Sequence, residues 1–297
     1  MSPIDVSVVV AVKNEEKYVS SAIESILAQE GLRHEVIVVD DGSTDATFAI
    51  LSDLQKRYPQ LQVARNPRAG KCSAFNHGVA LAQGRFTCIF AGDDLMPAGS
   101  LAARLAKVNG LPDDEPVVGL CKLVTMSEIK RYDGHVVPRA HGRGALSGIS
   151  PFMNRMALQT IFPVPETLPN EDTWMELAVL HLPSLRVVHS DIIGCQWRVH
   201  AGNSINMLVP FPEYNRKITA RLKAYSLFLG KHRAALDEPG RRDLEAKVAC
   251  EQQRSAGSML GVLRSPVGWV DRLRALSITN AALYNFRRRL YGLFSGW

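Results

Sequence analysis

The chain has five cysteines, Cys72, Cys88, Cys121, Cys195 and Cys250, odd in number and with no CxxC spacing. That scatter argues against a zinc site or a disulfide framework and fits a reducing compartment. No stretch reaches the roughly 18 consecutive apolar residues that a membrane span requires. The opening Met1-Ser2-Pro3-Ile4-Asp5 has no basic region followed by a long apolar run, so no secretory leader and a cytoplasmic location are expected. No GxGxxG turn follows the first apolar run, which disfavours a dinucleotide cofactor. Gly70-Lys71-Cys72-Ser73 lacks the upstream glycine of a phosphate-binding P-loop. Internal repeats and low-complexity segments are missing too.

What is present is enough for a sizeable core, with 297 residues and 46% hydrophobic content. Charge is unevenly placed. Residues 213–297 hold 16 Lys/Arg and 7 Asp/Glu, a net of +9, against +6 for the whole chain. Residues 1–212 are therefore slightly acidic, and the basic character belongs to the tail. That balance disfavours nucleic acid as the partner of the main domain. The expected division is a catalytic domain over 1–208 and a basic, mostly helical region over 209–297.

Strands and helices alternate through the first part. Val6–Val12 reads as a strand, Asn14–Gln29 carries a helical period, and Glu35–Val39 is a second strand. Ser43-Thr44-Asp45 offers a cap for a helix through Tyr58, before a short strand at Leu61–Ala64. A helix over Ser73–Ala82 and a strand over Arg85–Phe90 follow. This tempo predicts an α/β sheet with covered faces. Beyond a helix at Ser100–Val108 and a strand at Val117–Met126, the pattern loosens. Tyr132–Gly148 reads as a loop, Leu158–Pro169 as extended, and Thr173–Leu182 as a helix. Strands are expected at Leu185–Ser190 and again at Cys195–His200. Helices fill the chain from Pro212, with breaks near Glu238-Pro239-Gly240 and Ser265-Pro266.

Acidic motifs follow the apolar runs. Val36-Ile37-Val38-Val39 leads into Asp40-Asp41-Gly42-Ser43, and Phe86–Phe90 leads into Ala91-Gly92-Asp93-Asp94. Ligands of open parallel sheets bind beyond the carboxyl ends of the strands. Carboxylates placed there can hold a nucleotide's hydroxyls, a hard cation or a proton. Asp93-Asp94 suits Mg²⁺ or Mn²⁺, with a solvated turn as the plain alternative. Asn170-Glu171-Asp172 opens a helix, where a carboxylate can accept a proton or merely cap the first turn. In Trp197-Arg198-Val199-His200, Arg198 and His200 share one face of a strand and can bind phosphate, or His200 can join a metal shell.

Taken together, these segments resemble the family 2 glycosyltransferases, inverting enzymes of GT-A fold. The similarity runs over Val8–Glu16, Val38–Asp45, Gly70–Gly78, Glu171-Asp172 and Arg198-Val199-His200, covering about residues 4–205. Where many members read Asp-x-Asp-Asp, this chain has Ala91 in the first position, and Ala11 replaces a usual proline. The resemblance implies a Rossmann-like mixed sheet flanked by helices, followed by a helical appendage. It implies a donor pocket of Ala11, Asn14, Glu15, Asp41, Arg68, Lys71, Asp93 and Arg198. The metal would lie on Asp94 and Asp93 with help from His200. Asp172 would be the general base, with Glu171 on the acceptor side. The implied partners are a UDP-, GDP- or dTDP-sugar, a divalent cation such as Mn²⁺ or Mg²⁺, and a glycan or lipid-linked acceptor. The competing readings are a silent nucleotide-binding scaffold of a polysaccharide assembly complex and a sugar nucleotidyltransferase. The second lacks its Gly-rich loop after strand one.

Two further segments carry expectations. The loop Tyr132–Gly148, with Arg131 beside it and His135, Arg139, His141 and Arg143 within, is expected to contact donor or acceptor. The tail from Ala281 to Trp297 interleaves aromatics with Arg287-Arg288-Arg289. It suits an anionic membrane surface or, equally, packing on the protein.

Overall fold

The computed structural model describes residues 4–199 and 209–294. The chain falls into two compact units, one of Met1–Val179 with Ser184–Val199, the other of Leu180–Pro183 with His200–Trp297.

In the first unit, strands β1 (Val6–Val12), β2 (His34–Asp40), β3 (Leu61–Arg65) and β4 (Phe86–Ala91) pair in parallel, in the order β3-β2-β1-β4. Helices α1 (Val19–Leu27), α2 (Thr47–Arg57) and α3 (Lys71–Leu81) connect them. β1 is valine-rich because both of its faces are covered. Val8, Val10 and Val12 share a core with Val19, Ile23 and Ile26 of α1. On the opposite face Val9 meets α3, where a Cβ built on Gly78 would stand 2.4 Å from Val9 Cγ1. Only glycine lets α3 sit that close. An alanine there would force the helix outward, at a cost of about 1–3 kcal/mol.

The sheet continues through α4 (Ser100–Val108), β5 (Val117–Met126), β6 (Val136–Val137) and β7 (Phe152–Asn154), then α5 (Arg155–Ile161), α6 (Asp172–His181) and β8 (Arg186–Arg198). β7 is antiparallel to both β4 and β5, meeting β4 only at Phe86↔Asn154 and Thr87↔Met153. β6 runs antiparallel and β8 parallel to β5, with register shifts around Lys122. The mixed, helix-flanked sheet expected from the sequence is the one the chain forms.

Several local expectations differ from the structure. The first helix starts at Val19, because Asn14, Glu15 and Glu16 are tied instead to the loop after β2. α5 occupies the start of the stretch expected to be extended. Asn154 caps it by accepting from Ala157 N, and the prolines begin only at Pro163. The two short strands expected near the end of this unit are one strand, β8, because both parts pair with β5.

The second unit contains α7 (Phe211–His232), α8 (Glu238–Ser255), α9 (Met259–Arg264), α10 (Trp269–Leu276) and α11 (Ala281–Phe294). Pro239 sits in the first turn of α8, where its missing N–H costs nothing, so the expected break falls before Glu238. Ser265-Pro266 does separate two helices. Arg254, 1% exposed, donates to Glu251, Asn215, Thr219 and the Ile278 carbonyl, binding α8 to α7 and to the turn between α10 and α11. No described helix is long and apolar enough to cross a membrane.

Candidate active site

The chain turns back after β3 to lay β4 on the far side of β1, so the strand order reverses there. Such reversal points leave a crevice at the carboxyl edge. Ala11 lies at its centre, paired with Val39 on one side and Ala91 on the other. Both acidic motifs therefore leave the sheet from the same edge.

The loops after β1 and β2 are bonded to each other. Asn14 takes a left-handed conformation, φ 56°, that asparagine tolerates better than most residues. Its N–H donates to Ser43 Oγ, and its side-chain oxygen accepts from Thr44 N. Glu15 N–H donates to Thr47 Oγ1. Asp40 accepts from Ser43 N, and its buried neighbour Asp41 points towards α3. Asp41 Oδ1 accepts from Asn66 Nδ2 at 2.7 Å and Gly70 N at 2.8 Å, while Lys13 Nζ lies 3.7 Å from Oδ2. Asn66, which the sequence did not single out, thus fixes the carboxylate at the base of the crevice. Its only local signal is an Asn-Pro turn after β3.

Lys71 opens α3 and reaches α6. Its Nζ donates to Glu171 Oε1 at 3.1 Å. Glu171 is 1% exposed, and its Oε2 has no hydrogen-bond partner among the described residues. Burial pushes the Glu171 carboxyl up, with Lys71 pulling the other way and Asp172 adding repulsion. Burial would lower Lys71, but Glu171 and Asp172 outweigh it and hold the ammonium above its ordinary range. Asp172, half-buried, accepts from Gly148 N at 3.2 Å and Asn170 Nδ2 at 3.1 Å. A Cβ on Gly148 would stand 2.6 Å from Asp172 Oδ1, so a larger residue there would displace that carboxylate. Nothing in the spacing around Gly148 signals that role.

The second acidic motif is fastened to β8. Leu95 and Gln196 exchange backbone bonds. Asp94, 2% exposed, accepts from Arg198 N at 2.7 Å and from Cys195 Sγ at 3.5 Å. Burial, with Asp93 adding repulsion, pushes the Asp94 carboxyl up to about 7. Arg198 Nε donates to the Asp93 carbonyl, and its guanidinium stacks 4.3 Å over the Tyr18 ring. Asp93 itself is half-buried.

Arg68 is bonded to Glu166 at 2.6 Å and is exposed. The loop Tyr132–Gly148 is held by Asp191 of β8, which accepts from Gly142 N and pairs with His141, while buried Lys122 bonds both Asp191 and the Ala140 carbonyl. His200 lies outside the described residues. No cluster of three or more His, Cys, Asp or Glu side chains forms among the described residues.

The parallel sheet with its order reversal, the paired acidic loops and the antiparallel extension make the GT-A architecture shared with the solved structures that superimpose on this chain. Residues 7–120 match glycosyl transferase family 2, and the chain carries a domain of that family. A beta-monoglucosyldiacylglycerol synthase of Synechocystis is 40% identical over 97 residues, 31% of this chain and 20% of that protein. The matched stretch is thus about a fifth of that relative's length. S. aureus TarS 1-349 superimposes with a TM-score of 0.64 at 19% identity, covering 98% of this chain and 92% of that one. Its complex with UDP-GlcNAc gives 0.61 at 21% identity, covering 93% and 80%. The mannosyltransferase PcManGT of Pyrobaculum calidifontis, in complex with GDP-Man and Mn²⁺, gives 0.58 at 16% identity, covering 99% and 90%.

Proposed function

We propose that this protein transfers a sugar, with inversion, from a nucleoside-diphosphate donor to a hydroxyl of a saccharide or lipid-linked acceptor. The observation that carries this reading is the continuous run of contacts along the carboxyl edge. Asp41 binds the N–H of Gly70, Lys71 follows it and bonds Glu171, and Asp172 is next in the chain. The buried Asp41 and the half-buried Asp172 at a helix start thus share one frame, which supports the reading.

In this reading Asp41, with Ala11, Asn14 and Glu15 beside it, receives the base and ribose. Lys71, Arg68 and Arg198 supply positive charge for the diphosphate. Asp172 takes the proton from the acceptor hydroxyl as its oxygen attacks the anomeric carbon. The C–O bond to the diphosphate breaks on the opposite face, and the electron pair leaves with the nucleoside diphosphate. Gly148 N and Asn170 keep the carboxylate aimed, and Glu171 lines the acceptor side.

The adjacent carboxylates Asp93 and Asp94 support the reading of a hard divalent cation here. Asp94's raised pKa marks a buried carboxylate that holds its charge poorly unless positive charge arrives, and Asp93 repels it. Asp93 and Asp94 would hold Mn²⁺ or Mg²⁺, with Asp93 towards the ligand because Asp94's oxygens already bond β8. Such an ion would neutralise charge growing on the leaving diphosphate. A lipid-linked acceptor would place the protein on the cytoplasmic face of an anionic membrane, through its C-terminal region.

The test is nucleoside diphosphate release from UDP-, GDP- and dTDP-sugars, with and without Mn²⁺ or Mg²⁺. Metal-dependent release from one donor is expected. Absence of both release and nucleotide binding across the panel would leave a silent scaffold.

A further inference from the structure

The second unit shows an apolar face to solvent. α9 and α10 pack on each other and on α8, with Val262, Val267, Ala275 and Leu276 turned inward against Ala246 and Cys250. Their outward faces are apolar as well. Leu260 is 65% exposed, Leu263 47%, Trp269 72%, Val270 41% and Leu273 54%. Leu260 and Leu263 stand three apart on α9, and Trp269 and Leu273 four apart on α10, so each set forms one stripe on its helix. Monomeric proteins seldom leave such groups together in water.

Charge identifies the occupant. Residues 259–289 contain six arginines and one acid, Asp271, a net of +5. Asp271 is itself paired with Arg274 at 3.4 Å. Arg272 donates to the carbonyls of Ser265 and Val267, fixing the linker between the two helices. Arg287 Nη1 donates to Ser277 Oγ at the end of α10, and Arg288 and Arg289 beside it are exposed. Two copies meeting through this face would set +5 against +5. An anionic bilayer meets both requirements, taking the apolar stripes into its interface while its headgroups face the arginines.

We propose that the outward faces of α9 and α10 form the surface by which the protein lies on an anionic lipid bilayer. The inference rests on the peripheral placement offered with the proposed function, and moves the contact from the tail helix α11 to α9 and α10. On α11, of the two aromatic side chains that are described, Phe286 is 61% exposed and Tyr284 is turned inward. Tyr284 is fully buried against Tyr214 and Phe211, and its hydroxyl donates to the Val209 carbonyl.

The test is co-sedimentation of the full chain with vesicles of phosphatidylcholine, alone or with phosphatidylglycerol in equal part. Binding to the anionic vesicles, weak on neutral ones and falling as salt rises, is expected. Leu260→Ser with Trp269→Ser and Leu273→Ser should weaken it at least about tenfold. Far-UV circular dichroism should be unchanged, since the replaced groups are exposed. Brominated lipid should quench wild-type fluorescence, and Trp269→Phe, which leaves the fold intact, should lose that quenching. Equal binding to neutral and anionic vesicles would overturn the proposal, as would full binding by the triple variant. A wild-type dimer that the triple variant converts to a monomer, with no vesicle binding by either, would assign the face to a second copy instead. Vesicle binding is read without donor and diphosphate release without vesicles, so the two readings fail separately.

Discussion

Lys71 and Glu171, a hundred residues apart in sequence, meet at 3.1 Å and join the first turn of α3 to the start of α6. The pair is lopsided, with the Lys71 side chain 41% exposed and that of Glu171 1%. Removing the lysine therefore leaves a charge in the interior, whereas neutralising the glutamate leaves a lysine that water can still reach.

Lys71→Met should cost about 2 kcal/mol, below the 3–5 typical of fully buried pairs because Lys71 is partly solvated. Glu171→Gln should cost less, and the double variant should recover most of the loss. Urea unfolding of all four proteins measures this. Additive costs would mean that the contact carries no coupling.

Asp172→Asn should lower turnover by roughly 10²–10⁴-fold while donor affinity stays near wild type. Calorimetric donor binding beside a steady-state assay separates the two effects. Near-normal turnover would remove Asp172 as the base.

Gly148→Ala should reduce turnover by roughly 10–100-fold, because the added methyl would press on Asp172 Oδ1 at 2.6 Å and misplace it. The change should appear in kcat with little movement of the thermal midpoint. An unaffected kcat would show that the loop position does not aim the carboxylate.

Asp94, pushed up to about 7, gives stability a pH dependence of known sign. Without metal, the folded state keeps a proton that the unfolded chain releases near pH 4. The contribution is greatest below about 4 and declines as pH rises to about 7, by on the order of 1 kcal/mol per unit. Asp94→Asn should remove that slope, and Mn²⁺ should stabilise the protein more at about pH 7 than at about pH 5, since it competes with the proton. Identical melting profiles for the variant and wild type would contradict this.

Much of the first half of the sheet was legible because its physics is local. β1, β2 and β4 are covered on both faces, so each is a run of Val, Ile or Phe ending in a polar turn. The second half hid its elements. Pro163, Pro165 and Pro169 masked α5, which starts earlier at the Asn154 cap, and β8 carries His189, Ser190 and Asp191 mid-strand. The acidic positions could be named from the sequence, but their aim could not. Asp94 turns towards β8 because Leu95 pairs with Gln196, and Asp41 turns towards α3 because Asn66 and Gly70 offer donors. Partners that distant leave no trace in spacing.

β4 is joined to β7 at Phe86 and Thr87 alone, so its remaining residues, Cys88 to Ala91, have no strand partner on that flank. The sheet is therefore zipped at one end and parted at the other, like a split board. The two flanks of the split are bonded to separate partners, β4 to β1 and β7 to β5. The stretch that matches the family, residues 7–120, runs out inside β5, just across that split.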